Sequence, residues 1–242
     1  MASHNHIEIL ESGVGNWNGW REKNRTVKPD FQNAVFSAAD LRGAYLAGAD
    51  FREADLSNAY LRKANLEGAN LDGASLWGAD LSNAILREAN LWRADLSKAD
   101  LAEANLWGAS LWEANLASAN LQGADLSGAS LWEANLAGTN LRGANLAGTN
   151  LGEANLRDAD LRGANLRNTD LYGACLQNAH FRKAELRAVK SFYKAEIDTG
   201  ILHQIKPQWP EKFATVRNAT AEEWSLDRTL LNQIKKPDWH GW

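Results

Sequence analysis

From Phe31 to Leu186 a bulky apolar residue recurs at every fifth position through 32 uninterrupted units. It is Leu in 28 of them and Phe at Phe31, Phe36, Phe51 and Phe181. Two places earlier stands Ala, from Ala34 to Ala184, except at Thr139, Thr149 and Thr169. Residues 89–108, ANLWRADLSKADLAEANLWG, show the pattern in full. Five residues of α-helix rotate by about 140° net, which would scatter the leucines around the cylinder instead of along one stripe. On a continuous strand the side chains alternate with period two, so an odd spacing would send successive leucines to opposite faces. The pattern is consistent only if the backbone turns a corner once per unit and returns each Leu and each Ala to one interior. That is an all-β solenoid.

The stretch ADLSKADLAEANLWGASLWEANL, residues 94–116, resembles the pentapeptide-repeat proteins, whose motif is A(D/N)LXX. The resemblance implies a right-handed quadrilateral β-helix with four units to a coil and the central Leu and preceding Ala pointing inward. It gives about eight coils, a rod of about 38 Å at roughly 4.8 Å per coil. Such a stack is a sum of local contacts, and its two ends need covers to blunt their sheet edges.

The expected organisation is a helical cap over 1–30, the repeat body over 31–190 and a second helical cap over 191–242. Ile7, Leu10, Val14 and Trp17 form one apolar helical stripe, which Gly13 and Gly15 weaken. WNGWRE, Trp17 to Glu22, resembles the leader of many cyanobacterial members of the family. After Leu186 the register fails at Ser191 and Phe192. Thr220 and Glu223 make a capping box ahead of an amphipathic helix carrying Trp224, Leu230, Leu231 and Ile234, ended before Pro237. Trp209, Trp224, Leu231 and Ile234 are the expected capping contacts, or the contacts of a homodimer, since some family members dimerise end to end.

Sorting the outward positions by the twenty-residue coil places Arg52, Asp72, Trp92, Trp112, Trp132, Gly152 and Tyr172 in one column, with Arg93, Glu113, Glu133 and Glu153 beside it. Trp77 and Trp107 fall on the adjoining walls. Stacked indoles stabilise neighbouring coils, and contiguous exposed aromatics also mark contact sites. Stacked glutamates repel one another, a repulsion that a cationic partner relieves. Residues 31–138 carry 7 basic and 14 acidic side chains, net −7, whereas 139–190 carry 8 and 5, net +3. Arg142, Arg162 and Arg182 share one wall and Arg167 and Arg187 the next, but a sequence pI near 5.8 argues against nucleic-acid binding.

No Gly-rich phosphate loop, nucleophile motif or metal-ligand spacing accompanies the repeat. His4 and His6 sit in the terminal segment, His180 faces outward without a partner in register, and Cys175 has no activating His, Lys or Arg evident nearby. No catalytic residue, cofactor or metal is expected. A single Cys and the absence of any run of about 18 apolar residues place the chain in the cytoplasm, off the membrane. The expected role is a non-enzymatic binding or scaffold protein with an unknown protein partner, held on Trp92, Trp112, Trp132, Trp107, Glu113 and Glu133. The alternative implied by the resemblance is a DNA mimic that protects gyrase from quinolones, against which stand the mild charge and the absence of an inserted loop.

Overall fold

The computed structural model describes residues 4–213. Parallel β-bridges pair residues twenty apart, from Asp30 with Asp50 to Asp160 with His180. Four units therefore complete one circuit, and as far as His180 every coil lies in register on the next. The backbone of a unit can be followed donor by donor, as buried peptide groups require. Around Leu111, the Leu111 N–H donates to Ser130 O (2.7 Å) and Glu113 N–H to Trp132 O (3.0 Å) in the next coil. Asn115 N–H donates back to Ala94 O (3.0 Å), and Ala114 N–H closes a turn on Leu111 O (3.1 Å). Glu113 has φ 56°, and positive φ at the third residue of such a turn is the type II geometry. Where the residue before the central one is Asp or Asn, the remaining N–H, directly after the central residue, goes to that side chain, as in Ser97 N–H to Asp95 Oδ1 (3.0 Å). Asn side chains also form ladders: Asn155 donates to Asn135, Asn135 to Asn115 and Asn115 to Asp95, at 3.0–3.1 Å. The polar half of the motif is thus consumed by backbone capping and coil stacking.

Inside, the central leucines and the alanines are almost wholly buried. Thr139, Thr149 and Thr169 take the Ala position, and each hydroxyl donates to a carbonyl of the preceding coil: Leu116, Leu126 and Leu146, at 3.0, 2.8 and 2.7 Å. A hydroxyl there is tolerated because it has that acceptor.

At the N-terminal end the single expected stripe is two helices, α1 (His4–Glu11) and α2 (Val14–Lys23). They break at Gly13, whose φ of 115° is closed to most L side chains. Leu10 and Trp17 are buried. WNGWR acts through hydrogen bonds to the open edge of the first coil. Trp17 Nε1 donates to Tyr45 O (3.0 Å), and Asn18 both accepts from Tyr45 N–H (2.8 Å) and donates to Gly43 O (3.0 Å). Arg21 Nη2 reaches Ala47 O (3.1 Å) while its Nη1 holds Asn24 O and Val27 O. Trp17, Trp20, Phe31 and Phe51 stack behind these contacts at 4.8–5.4 Å. His6 packs edge-on to Trp20 and accepts the Asp30 N–H (3.2 Å). Burial lowers its pKa, which suits a neutral acceptor.

At the other end the column runs to Leu186, which is buried, but it is disturbed just before that residue. Phe181 is half-buried, and one helical turn, α3 (Lys183–Leu186), replaces a corner. Glu185 supports that turn by accepting the N–H groups of Gly163 (2.6 Å) and Arg182 (2.7 Å). The ladder then resumes one residue late, with Asp170 pairing Ser191 and Cys175 pairing Glu196. The break read at Ser191 and Phe192 is therefore a one-residue insertion: Val189 and Phe192 are buried as the next interior pair. Phe192 stacks on Phe213 (5.2 Å) of the 3-10 turn Pro210–Phe213, beyond α4 (Thr199–Ile205). Lys212 Nζ donates to the carbonyls of Arg187 and Val189. Trp209 is half-buried there. Trp224, Leu231 and Ile234, with the helix expected around them, lie outside the described residues.

Candidate protein-binding face

The side chains that face outward are the three of each unit other than the central residue and the one two places before it, on four walls, Val35, Tyr45, Tyr60 and Ile85 among the exposed ones. Trp92, Trp112 and Trp132 occupy the same position in successive coils, yet their surroundings differ. Trp112 is 7% exposed, so most of its indole is packed against the wall. Trp92 is half-buried under Arg93, whose guanidinium carbon lies 4.0 Å from the ring centre and whose Nη2 lies 3.6 Å from Asp72 Oδ1. Burial raises the Asp72 pKa, with Arg93 opposing it. Trp132 donates from Nε1 to Glu133 (2.8 Å) and stacks on Tyr172 at 5.9 Å and 17°. It spans two coils by lying across Gly152, where a Cβ would collide with the six-membered ring. Tyr172 continues to Tyr193 (5.7 Å), and Lys194 sits over both rings while donating to the Tyr172 hydroxyl (3.1 Å). Gly152 between two aromatics at twenty-residue spacing is a signal readable in the sequence. Tyr193 was hidden by the insertion.

Glu113, Glu133 and Glu153 are exposed beside this stripe and have no ion pair among the described residues. Trp107 is 42% exposed and Trp77 40%, on the neighbouring walls, with Arg87 and Lys98 over their rings at 5.0 and 5.3 Å. The expected site residues thus divide. Trp92, Trp112, Trp132, Glu113 and Glu133 form one continuous stripe, and Trp107 belongs to another wall.

On the arginine-bearing walls, Arg162 grips Asp160 through Nε (2.8 Å) and Nη2 (2.5 Å), with Arg142 at 3.8 Å. These contacts hold the Asp160 carboxyl down to about 2. Cys175 needs a correction: Arg157 Nε donates to its Sγ at 3.1 Å. Arg157 is eighteen positions away in sequence, and the Asn155–Cys175 bridge brings it alongside.

A cleft of about 660 Å³ opens where the α1–α2 corner meets the first coil, lined by Leu10, Val14, Phe36, Leu41, Asp40 and Arg42. Its Asp40 is chelated by Arg42 (2.6–2.8 Å). No group of three or more His, Cys, Asp or Glu suited to a metal ion occurs among the described residues. No helix among them is long and apolar enough to cross a membrane.

The family model for pentapeptide repeats matches residues 30–68, 64–101, 94–132, 124–163 and 149–187. Among solved structures, the chain is similar to HetL, a pentapeptide repeat protein involved in heterocyst differentiation regulation in the cyanobacterium Nostoc sp. strain PCC 7120. That match has 35% identity over 76% of this chain and 94% of HetL, with a TM-score of 0.42. It is also similar to trypsin-treated QnrB1, a plasmid-mediated fluoroquinolone resistance protein, at 21% identity over 75% of this chain and 87% of that one, with a TM-score of 0.56. A thylakoid-lumen pentapeptide repeat protein of Arabidopsis thaliana matches at 26% identity over 60% and 82% of the two chains, TM-score 0.41. No curated protein sequence matches. The matched span and the twenty-residue ladder make the chain a member of the pentapeptide-repeat family, whose members fold as right-handed quadrilateral β-helices.

Proposed function

We propose that this chain is a non-enzymatic binding protein of the cytoplasm, a rod of about eight coils closed by helical caps that holds another protein against a flat wall. The observation that carries this reading is the filled interior: the central column is buried at every unit from Phe31 to Leu176, so chemistry and recognition are left to the walls. The wall assigned is the stripe of Trp92, Trp112 and Trp132 with Glu113 and Glu133, and Trp107 marks the alternative wall. Trp112 is packed inward, so the informative variant spares it. Trp92→Ala/Trp132→Ala is expected to lose a partner that the wild type captures from native lysate, at unchanged circular dichroism, whereas Trp107→Ala retains it. Capture that survives the double variant removes this wall from the reading. Dimerisation through the C-terminal segment belongs to the same proposal and is read by sedimentation.

A second reading, protection of a topoisomerase by DNA mimicry, is favoured by one feature. Residues 99–141 hold Asp100, Glu103, Glu113, Asp125 and Glu133 and no Lys or Arg. Against it, the following coils carry the arginines of 142–187. A supercoiling assay with a quinolone separates the two, since protection of gyrase at modest concentration favours the mimic.

A further inference from the structure

We infer that the partner segment received by the Trp–Glu stripe is basic and extended, with Arg or Lys at every third residue, lying along the rod across the coils of Trp112, Trp132 and Tyr172. The inference rests on the binding role proposed above and adds the chemistry of the partner. The two ends of the stripe already show how it holds a cation. At one end Arg93 lies on the face of Trp92 and reaches the carboxylate of Asp72. At the other, Lys194 lies over Tyr172 and Tyr193. Aromatic face plus carboxylate is the arrangement that suits guanidinium and ammonium groups.

Between those ends the same materials have no cation in ion-pair contact, Lys194 acting on Glu153 only from a longer distance. Glu113, Glu133 and Glu153 succeed one another in adjacent coils, exposed and without an ion pair among the described residues. Glu113 and Glu133 lie in a stretch, residues 99 to 141, that contains no Lys or Arg. In their own column Arg93, one coil before Glu113, is turned down toward Trp92 and Asp72, and Lys194, two coils beyond Glu153, lies over Tyr172 and Tyr193. Carboxylates repeating at roughly 4.8 Å repel one another, and a bound cation converts that repulsion into attraction. Charge complementarity therefore selects a basic occupant over an acidic or purely apolar one.

Spacing refines the choice. Glu133 is engaged by Trp132 Nε1, which leaves Glu113 and Glu153 as the open carboxylates, two coil steps or about 9.6 Å apart. Three residues of polyproline II chain advance about 9.3 Å. Cations at i and i+3 of such a segment meet Glu113 and Glu153, and the residues between them lie on Trp132.

The test is fluorescence anisotropy of the full chain with a labelled peptide of repeating Arg-Pro-Pro, beside the same peptide with Glu for Arg and a scrambled peptide with its arginines adjacent. Wild-type protein is expected to bind the repeating peptide best, to lose it in high salt and to ignore the acidic one. Glu113→Gln/Glu153→Gln is expected to weaken binding by about three- to tenfold. Glu88→Gln/Glu103→Gln, which removes equal charge from other walls, should change it less than twofold, with both variants melting like wild type. Equal loss in both pairs, or no binding by wild type, overturns the inference. If the Arg peptide fails to bind while Trp92→Ala/Trp132→Ala still abolishes partner capture, the wall remains the docking site and only the basic chemistry is refuted. If capture survives that variant, the binding role assigned to this wall falls by itself.

Discussion

Trp107 and Trp112 lie five residues apart, each directly after a central leucine, and sequence position within the unit does not distinguish them. One is 42% exposed and the other 7%. The difference lies in the neighbours twenty residues before and after. Trp112 has Trp92 and Trp132 in its column, whereas Trp107 has Arg87 and Ser127. Wall side chains are therefore governed by the coil above and the coil below, and a residue's packing has to be read at a separation of twenty. The interior behaves differently: from Phe31 to Leu176 every column there is Leu, Phe, Ala or Thr, so position within the unit suffices.

The largest expected effect comes from deleting the two indoles separately. Trp112→Ala should cost about 2–3 kcal/mol, somewhat below a core Trp deletion because one side of the wall meets water. Trp107→Ala should stay within about 0.5 kcal/mol, as for an ordinary surface change. Urea denaturation of the two variants measures the gap. Equal losses would mean that the coil neighbours do not set the packing.

Next is Gly152→Ala. The added methyl meets the Trp132 ring, so the indole must leave its stack on Tyr172, at an expected cost of about 1–2 kcal/mol. Gly148→Ala is an uninformative partner, since its φ of 69° strains any L residue there. Ala147→Gly, at the matching unit position on Trp107's wall, touches no indole stack and is the better comparison. An unshifted Trp132–Tyr172 contact in a crystal of Gly152→Ala would break the account.

How much of this was legible in the sequence follows from the same distinction. The five-residue period excludes helix and flat strand on geometry alone, and it names the interior from Phe31 onward because each unit repeats the same local demand. The four-sided coil needed the family resemblance, since a period of five says nothing about how many corners close a circuit. The ladder pairs Asp30 with Asp50 and so supplies that number. Burial of Trp112, the Arg157–Cys175 contact and the path from Trp132 over Gly152 all depend on which rotamer a neighbour twenty residues away permits. At the end of the repeat, Ser191 and Phe192 looked like its termination because a fixed register was assumed. One turn of helix and one extra residue carry the ladder across, a device with no signature in the five-residue pattern.

A gain of packing tests the rule from the opposite side. Ser127→Trp gives Trp107 an aromatic neighbour in the next coil, as Trp132 is for Trp112. The new pair should stabilise the protein by about 0.5–1.5 kcal/mol, less the Ser127 Oγ bond to Asp125 (2.6 Å). Hydroxyl-radical footprinting should show Trp107 oxidised more slowly than in wild type. Unchanged oxidation would mean that the Trp107 wall cannot hold an indole stack, and that its flatness rather than its neighbours keeps Trp107 exposed.

The smallest effect concerns Asp72, half-buried one coil before Trp92 in the tryptophan column. Its Oδ1 accepts no hydrogen bond, and burial raises its pKa above the ordinary carboxylate value of 3.8 despite Arg93. A carboxyl whose pKa is higher in the folded state contributes stability below the unfolded value, and that contribution is lost as pH rises through the folded value. At neutral pH the charged form is therefore a small burden on this wall. Asp72→Asn should raise the melting temperature at pH 7 slightly, by less than about 1 kcal/mol of stability. The advantage should vanish below about pH 3.8, where wild type is itself protonated. The same substitution frees Arg93 from its carboxylate, so a melting temperature that falls at pH 7 would show the ion pair outweighing the burial, and would make Arg93 rather than the indoles the fastening of that end of the stripe.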